Sequence, residues 1–514
     1  MIRDLKNSGE VTAASDIVIV GGGSVGLFIS SILANKGFDV TTIESGGLEQ
    51  KEETHSLNKV IYKNYNYNSS NIGRFRCLGG TSTRWGGGLL PFPTRDLIDG
   101  NWPLPPEELS KYLHEVENFF KLNHDSYNCR ENLGKNNSNF ILRYAKLPSF
   151  KNRNVFNLLK KEILKENGPS VWINATVNEF KVKDKALEEI IANSTDGSRI
   201  KVRANKFIFA SGAIESTRLM LLLDKQNNNC ISNISPSLGK FFSDHISIPV
   251  SNIEIKNKNK MNEIFGYHFD TKQTMKNIRF ELNENSKLRK IIPPFFSRLV
   301  FSDMSGSYEN LRDFFRIIQK KNIPSIKNFI DIIKSFPWIF KAGLMRFFKK
   351  RLLFPNYTKL EAHIIMEQIS SISNQITLSK EEKDVFEQPL AIIDWTINKE
   401  DYENIINASG YLKDFWNSSS LKLIGNFNLK NIEEINEYIK KGDGIHHPTG
   451  STRMAISSTE GVVNKDLKLF SLKNTRILST SVFPTGGGAN PTMTLFMLAL
   501  RCVDQICLEN NNKN

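Results

Sequence analysis

Near its start the chain runs Asp16-Ile-Val-Ile-Val20, then Gly21-Gly-Gly-Ser-Val-Gly26, then Leu27 to Lys36 with helical apolar spacing. A short β-branched apolar run predicts a strand buried on both faces. Phe38-Asp-Val-Thr-Thr-Ile43 predicts a second strand, ended by Glu44. The unit reads as βαβ. Gly21, Gly23 and Gly26 have GxGxxG spacing. The first glycine allows a tight turn, the second lets backbone approach a pyrophosphate, and the third lets helix pack against strand. The helix then offers free N–H groups and the positive end of its dipole to phosphates. Glu44, eighteen residues past Gly26, stands where an acid accepts ribose hydroxyls. The expectation is an α/β protein with a dinucleotide-binding domain.

Residues 73–95, GRFRCLGGTSTRWGGGLLPFPTR, form a second glycine-rich segment. Gly79, Gly80 and Gly86 to Gly88 let backbone pass close to a flat ligand. Residues 105–165 read as helical and polar, starting at Pro105-Pro-Glu-Glu-Leu with proline and acids in the first turn. Strands are predicted at Val171 to Val177, Ile200 to Ala204 and Phe207 to Ser211. Ala210 to Arg218 turns from the last strand into a helix. That pattern returns the chain to the nucleotide-binding sheet, so the domain is expected to be discontinuous. Residues 250–440 are mixed and rich in Asn and Lys. Strand-like stretches in Ala362 to Leu378 and Leu390 to Trp395 predict an antiparallel sheet under a substrate pocket.

Charge is uneven. The chain of 514 residues has 68 Lys plus Arg and 54 Asp plus Glu, a net charge of +14. Between Arg312 and Arg351 eleven basic residues meet two Asp, so most of the excess is local. Lys320, Lys327, Lys334 and Lys341 recur every seven residues, beside Phe314, Phe315, Ile317, Ile318, Phe329, Ile330, Ile332 and Ile333. Pro324 and Pro337 predict two or three short amphipathic helices rather than one. Such a block serves as a solvated lid, a membrane- or partner-binding surface, or a reader of acidic substrate. No reading motif accompanies the charge, so nucleic acid is not expected. Cys77, Cys129, Cys230, Cys502 and Cys507 form no CxxC, which argues against disulfides, zinc and iron–sulfur. The N-terminus lacks an apolar core, and Ile17 to Asn35 and Ile477 to Leu500 are broken by glycines. The expected location is cytoplasmic, with peripheral membrane contact as an option through residues 312–355.

At the C-terminal end stand Gly444-Ile-His446-His447-Pro-Thr-Gly450-Ser-Thr-Arg-Met454 and Gly486-Gly-Gly-Ala-Asn490-Pro491-Thr-Met-Thr494. Asn490 and Pro491 predict a helix start, with Asn as cap and Pro first, followed by a buried Leu495 to Leu500.

With these motifs the chain resembles the glucose–methanol–choline (GMC) oxidoreductases, FAD enzymes that oxidise alcohols. The likeness runs through Gly21 to Gly26 with Glu44, Gly79-Gly-Thr-Ser82 with Trp85-Gly-Gly87, and Trp102-Pro103. It continues through Ala210 to Leu222, Leu238-Gly239, Asp244-His245, Glu367-Gln368 to Ser379 and Asp394-Trp395. It ends in His447-Pro-Thr-Gly450, Arg453-Met454, Gly461-Val-Val463 and Ser481-Val-Phe-Pro484 through Asn490-Pro491. Within the family, GGTSTRWGGG and HHPTGSTRM most resemble the sugar-oxidising branch of pyranose oxidases and bacterial sugar dehydrogenases.

The resemblance implies a discontinuous Rossmann-type FAD-binding domain (1–95, 166–250 and 440–514). It also implies a substrate domain of antiparallel sheet and helices (96–165 and 251–439). His447 is implied as the base that takes the hydroxyl proton, and Asn490 as the residue bonding the substrate oxygen. A neutral imidazole accepts a proton near pH 7. Cofactor contacts are implied at Gly21, Gly23, Gly26, Glu44, Gly79, Gly80, Ser82, Trp85, Gly86, Val177, Ser211, Gly212, Ser481, Asn490 and Pro491, and no metal. His446 is expected in a supporting or core role. Arg84 stands where some members carry the histidine that bonds FAD covalently, so FAD is expected to be non-covalent. Ser451 and Ser479 replace more usual residues. The implied reaction oxidises a CH–OH group of a sugar or glycosylated substrate. A separate electron acceptor would be oxygen, quinone or a carrier protein. The alternatives are a redox-neutral lyase of the same family and a membrane- or partner-associated flavoprotein.

Overall fold

The computed structural model describes residues 1–67, 69–129, 139–270, 274–319, 323–355, 358–441 and 444–511. Lys320, part of the seven-residue repeat, lies outside them. The strand Glu10–Val20 sits inside an eight-stranded sheet. Val40–Ile43 pairs with it in parallel on one side and Arg199–Phe209 on the other. Ser170–Ile173 and Ile2–Asp4 continue the sheet beyond Val40–Ile43, and Thr475–Ile477 pairs in parallel with Phe207 to Phe209. A hairpin, Thr176–Lys183 and Ala186–Asn193, is added antiparallel. Ile17 to Val20 are buried, as a strand covered on both faces requires. The helices Ser24–Asn35 and Thr492–Asn511 pack into this core through Phe28 and Phe496, whose rings lie 4.9 Å apart.

A second, seven-stranded antiparallel sheet contains Phe140–Leu147, Met275–Leu282, Phe295–Asp303, Thr358–Met366, Ile246–Ile255 and Gly425–Leu429. The boundary expected at residue 250 falls within Ile246–Ile255. Side chains alternate between the faces of a strand. Phe280 and Phe295 enter a second core with Phe415 and Trp416 of the helix Lys399–Ser418. Arg279, Glu281 and Phe296 therefore take the opposite face. A small third sheet joins Gln375–Lys383, Pro389–Trp395 and Val60–Asn64.

Four local expectations change. Residues 105–165 are not helical throughout, because Phe140–Leu147 is a strand whose Phe140 and Leu142 enter the second core. Ile200 to Ala204 and Phe207 to Ser211 form one strand, Arg199–Phe209. Asn205 and Lys206 break the apolar pattern, but pairing continues from Glu10–Arg199 to Val20–Phe209. The strand-like stretches beyond residue 360 serve two sheets, not one. Pro337 lies inside the continuous helix Ile326–Leu344. The ring is exposed, so it forfeits a backbone bond without disturbing a packed face. Pro324 does separate that helix from Ser307–Gln319, just before a capping box of Ser325 and Asn328.

Glycine 26 packs the first helix against its strand. A β-carbon there would lie 1.9 Å from the Gly21 carbonyl oxygen, whereas one on Gly23 would meet nothing nearer than 4.0 Å. Gly26→Ala should therefore cost on the order of 1–3 kcal/mol in denaturant unfolding. Gly23→Ala should leave unfolding nearly unchanged.

Candidate active site

The carboxyl ends of the central parallel strands open onto one cavity. At one end, Gly23, Ser24 and Val25 bring it the N-terminus of the helix Ser24–Asn35, which has no side-chain cap and no acid in its first turn. Glu44 closes Val40–Ile43 there, accepting from the backbone N–H of Gly22 (2.7 Å) and Gly46 (2.8 Å). Burial pushes its carboxyl above the usual range, against those bonds. Gly212, at φ +77°, has open space where a β-carbon would stand. At the other end lie His446, His447, Thr480 and Pro491.

These residues fit a dinucleotide. Glycine faces turned to the cavity, an uncapped helix N-terminus and a carboxylate at the end of the second strand make a phosphate and ribose cradle. Among the expected cofactor contacts, Gly21, Gly23, Glu44, Gly80, Val177, Ser211, Gly212 and Pro491 line this cavity. Gly26, Gly79, Ser82, Trp85, Gly86, Ser481 and Asn490 do not line it. Ser82 donates to the Gly79 carbonyl (2.6 Å) and accepts from the Val155 N–H (3.0 Å). The Trp85 indole donates to the Arg153 carbonyl (2.9 Å). Both fasten the glycine-rich segment to its neighbours. Gly79 carries the backbone at φ +86°, and a β-carbon there would meet Asn154 Oδ1 at 2.9 Å. Gly86 is exposed, with nothing within 4 Å of an added β-carbon. Ser481 shares hydroxyl bonds of 2.6 Å with Ser479 and Thr452.

That serine–threonine contact helps position His447. Its loop is held on one side by Thr480, which donates to the Pro448 carbonyl (2.6 Å), and by Met454 N–H on the Val482 carbonyl (2.8 Å). On the other side Thr449 and Ser243 exchange backbone bonds. Gly450, at φ +85°, comes so near the Phe241 carbonyl that an added β-carbon would lie 2.0 Å from it. Asp244 accepts from the backbone N–H groups of His245 (2.6 Å) and His447 (3.0 Å), and from the Tyr67 hydroxyl. Burial brings its carboxyl up to about 7 despite those bonds.

The imidazoles form a relay. His245 Nε2 is 2.6 Å from the Gly487 carbonyl oxygen, which can only accept. Burial pushes His245 down to about 4, so its ring is neutral and carries its one proton on Nε2. Its bare Nδ1 then accepts from His447 Nδ1, 2.9 Å away. His447 is half-buried at the cavity wall. Burial, then the nearby His245 and Arg279, hold its pKa well below the usual histidine value. Neutral His447 therefore keeps a lone pair on Nε2, which accepts from Asn490 Nδ2 at 3.0 Å. Asn490 Oδ1 is buried with no partner among the described residues. The helix after it starts at Thr492, one residue later than expected, because Pro491 supplies the first carbonyl, to Leu495 N–H (2.9 Å). Asn490 is thus not spent as a cap, and its amide meets His447. The Gly487 N–H donates to Glu367 (2.9 Å), a carboxyl raised to about 8 by burial and by Asp96. His446, at φ +67°, is exposed on the cavity rim.

Residues 370–499 match the family model of the GMC oxidoreductases, in its C-terminal part. Over that segment, a quarter of the chain, the sequence is similar to that family. Two curated relatives share short stretches with it. A dehydrogenase of Armillaria gallica is 44% identical over 61 residues, 12% of this chain and 10% of that protein. Choline oxidase of Arthrobacter globiformis is 32% identical over 76 residues, 14% of each. The matched stretches thus span a tenth and a seventh of those relatives. Solved structures share the fold along nearly the whole chain. A variant of formate oxidase from Aspergillus oryzae RIB40 is 14% identical with a TM-score of 0.57, covering 97% of this chain and 99% of that one. Pyridoxine 4-oxidase from Mesorbium loti is 15% identical with a TM-score of 0.55, covering 95% and 98%.

Sequence reasoning gave His245 no role, although Asp244-His245 stood among the motifs of the resemblance. It also passed over an ion cluster on the cavity wall. Glu215 is bonded by Arg76 (2.7 Å) and Arg218 (3.2 Å), with Arg74 at 3.7 Å. Burial raises its pKa, but Arg76, Arg218 and Arg74 outweigh that and bring it from 4.5 to about 2. A depressed carboxylate contributes stability above its unfolded pKa and loses it as pH falls through the folded one. Glu215→Gln should therefore cost about 3–5 kcal/mol at pH 7, because it strands buried guanidinium groups. The gap from wild type should narrow as pH falls from 4.5 towards 2, as read by denaturant unfolding at stepped pH.

Proposed function

We propose that this protein is a GMC-family, FAD-dependent oxidoreductase that converts a CH–OH group to a carbonyl, with His447 as base. One observation carries the reading. A single cavity joins the helix N-terminus and Glu44 to His447 and Pro491. Gly23, Glu44, Val177, Ser211 and Gly212 would hold FAD, which when bound supplies the hydride acceptor. An alcohol gives up hydride readily only as its proton leaves. The unprotonated Nε2 of His447 is the atom that accepts that proton, once Asn490 Nδ2 turns from it to the substrate oxygen. The ring's Nδ1–H stays on His245, so the imidazolium that forms is already oriented. Asn490 Nδ2 donates to the oxygen as its charge develops.

The motifs Gly79 to Gly88 and His446 to Met454 support a sugar or glycosylated alcohol as substrate. FAD is held without a covalent bond in this reading. Arg84, where a tethering histidine would stand, is exposed and lies over the Phe75 ring at 5.6 Å. His447→Ala should slow anaerobic flavin reduction by about 10²–10⁴-fold while the visible FAD band persists. Unchanged reduction would remove His447 from the chemistry. Because the His447 ring stays neutral well below pH 6.5, the wild-type rate should hold from neutral pH downward and fall only in acid.

The basic hairpin supports a membrane-surface contact. Twelve of the twenty-six exposed large apolar side chains among the described residues lie between Phe315 and Phe348, including Phe336, Phe340, Phe347 and Phe348. No described helix is long and apolar enough to cross a membrane. Exposed Phe and Ile beside repeated Lys match an anionic lipid interface. A second copy would oppose like charges. The full chain should cosediment with phosphatidylglycerol vesicles at low salt. Phe340→Ser, Phe347→Ser and Phe348→Ser together should abolish this and leave turnover in solution unchanged. Equal sedimentation of both would exclude the contact.

A further inference from the structure

Arg279 stands out among the buried charges. It lies on Met275–Leu282, on the face turned away from the second core, and is 3% exposed. Its Nε and Nη1 have no hydrogen-bond partner among the described residues. The nearest carboxylate on its strand, Glu281, is engaged by Arg143 at 2.6 Å. The flat face of the guanidinium is covered by Phe296, whose ring centre is 4.2 Å away, so its N–H edges remain open. Burial, with Arg298 and Arg143 nearby, brings its pKa down to about 9. Glu281 offsets part of the charge, but a guanidinium out of water whose Nε and Nη1 bond nothing is costly, and an anion placed against them would satisfy them.

The location of this cation is what gives it meaning. Gly88 leaves no side chain between its backbone and two polar groups, and a β-carbon there would crowd them. From that point Arg279 Nη2 is 3.2 Å away and Asn490 Oδ1, another buried atom without a partner among the described residues, is 3.9 Å away. The same Asn490 donates to His447 Nε2 at 3.0 Å. The charge of Arg279 also contributes to depressing both His245 and His447. A cation and an unpartnered acceptor thus meet at Gly88, and Asn490 links them to the proposed base.

We propose that Arg279 is the anion-recognition residue of the substrate site, so that the alcohol oxidised carries an oxyanion, a carboxylate or a phosphate, a few bonds from its reacting hydroxyl. This deepens the reading of His447 as the base of an alcohol oxidoreductase and rests on it. The open N–H edge of Arg279 bonds two oxygens of the anion at once, a geometry that a lysine ammonium cannot reproduce. The hydroxyl then lies at His447 Nε2, and Asn490 Oδ1 accepts from a neighbouring hydroxyl. An anionic sugar or a short hydroxy acid meets all three demands. A neutral sugar leaves the guanidinium unpaired, which sets specificity through a buried charge rather than through shape.

Two measurements on the FAD-loaded full chain test this. In the first, acetate and inorganic phosphate are titrated separately while the visible flavin spectrum is followed, so carboxylate and phosphate sources are distinguished. Wild type should show saturable perturbation by at least one of them. Arg279→Gln should lose it, and Arg279→Lys should retain only a weakened form. In the second, anaerobic flavin reduction is compared for glucose with glucuronate and for glycerol with glycerate and glycerol 3-phosphate. Anionic members should be favoured at least tenfold in wild type. Arg279→Gln should erase that preference through KM, leaving FAD content and reduction by dithionite unchanged. Equal anion binding by wild type and Arg279→Gln overturns the proposal. So does release of FAD by that substitution, which would make the cation a cofactor contact, and so does reduction by neutral members as fast as by anionic ones. If dithionite but no alcohol of any kind reduces the flavin, alcohol oxidation fails, while the anion titration still decides the role of Arg279.

Discussion

The parallel pairing of Glu10–Val20 with a strand on each side is the constraint on which the rest of the molecule depends. Val40–Ile43 and Arg199–Phe209 flank it in register, so their carboxyl ends stop at one level. The Gly21–Gly26 turn, Glu44 and the Ser211–Gly212 turn therefore open onto the same edge of the sheet. Burial of Ile17 to Val20 and Phe207 to Phe209 makes that alignment hard to slip, because a shift would expose or strand apolar side chains. An uncapped helix N-terminus then faces the cavity rather than bulk water.

The reactive end is built differently. His447 sits on a loop, and loops owe their shape to what grips them. Here the grip comes from two stretches far away in sequence, around Ser243 and around Ser479 to Val482. The direction of the imidazole relay is decided by one carbonyl, that of Gly487, which accepts only. From that atom the proton positions follow through His245 to His447 and fix which nitrogen is basic. The carboxyls of Glu367 and Asp96 hold the Gly486–Gly488 loop by its N–H groups (2.9 and 2.7 Å), so the carbonyl has a defined place. A change at Gly487 would thus act on His447 without touching it.

The antiparallel sheet supplies the other wall, and its alternation separates two kinds of chemistry. One face feeds Phe280 and Phe295 to the second core, and the other presents Arg143, Arg279 and Glu281. Two guanidinium groups in register on neighbouring strands, Arg143 and Arg279, would be unstable against a hydrocarbon layer. They are stable here because Arg143 pairs with Glu281 and Arg279 stacks on Phe296. The Lys-rich hairpin lies outside both cores, with its Phe and Ile side chains in solvent. Its charge pattern is a surface property, not a packing requirement.

What the sequence determined alone is what short-range sterics and hydrogen bonding decide. Gly26 could be assigned its task because it concerns a backbone clash within a few residues, with the Gly21 carbonyl. The strand–helix turn at Ala210 to Arg218, the break at Pro324 and the start of the last helix near Pro491 belong to the same class. Local rules failed where tertiary packing outweighs them, as at Pro337 inside its helix and at Phe140–Leu147, whose partner strand Met275–Leu282 lies more than a hundred residues away. The family motifs pointed to His447 and Asn490 as residues, but not to their state. Only the tertiary structure brought Nδ1 of His245 to His447 across 202 residues of chain and left Nε and Nη1 of Arg279 without a hydrogen-bond partner among the described residues. Such facts depend on the packing of separate sheets and loops, since protonation and charge pairing are set by distances in space that no spacing in sequence encodes.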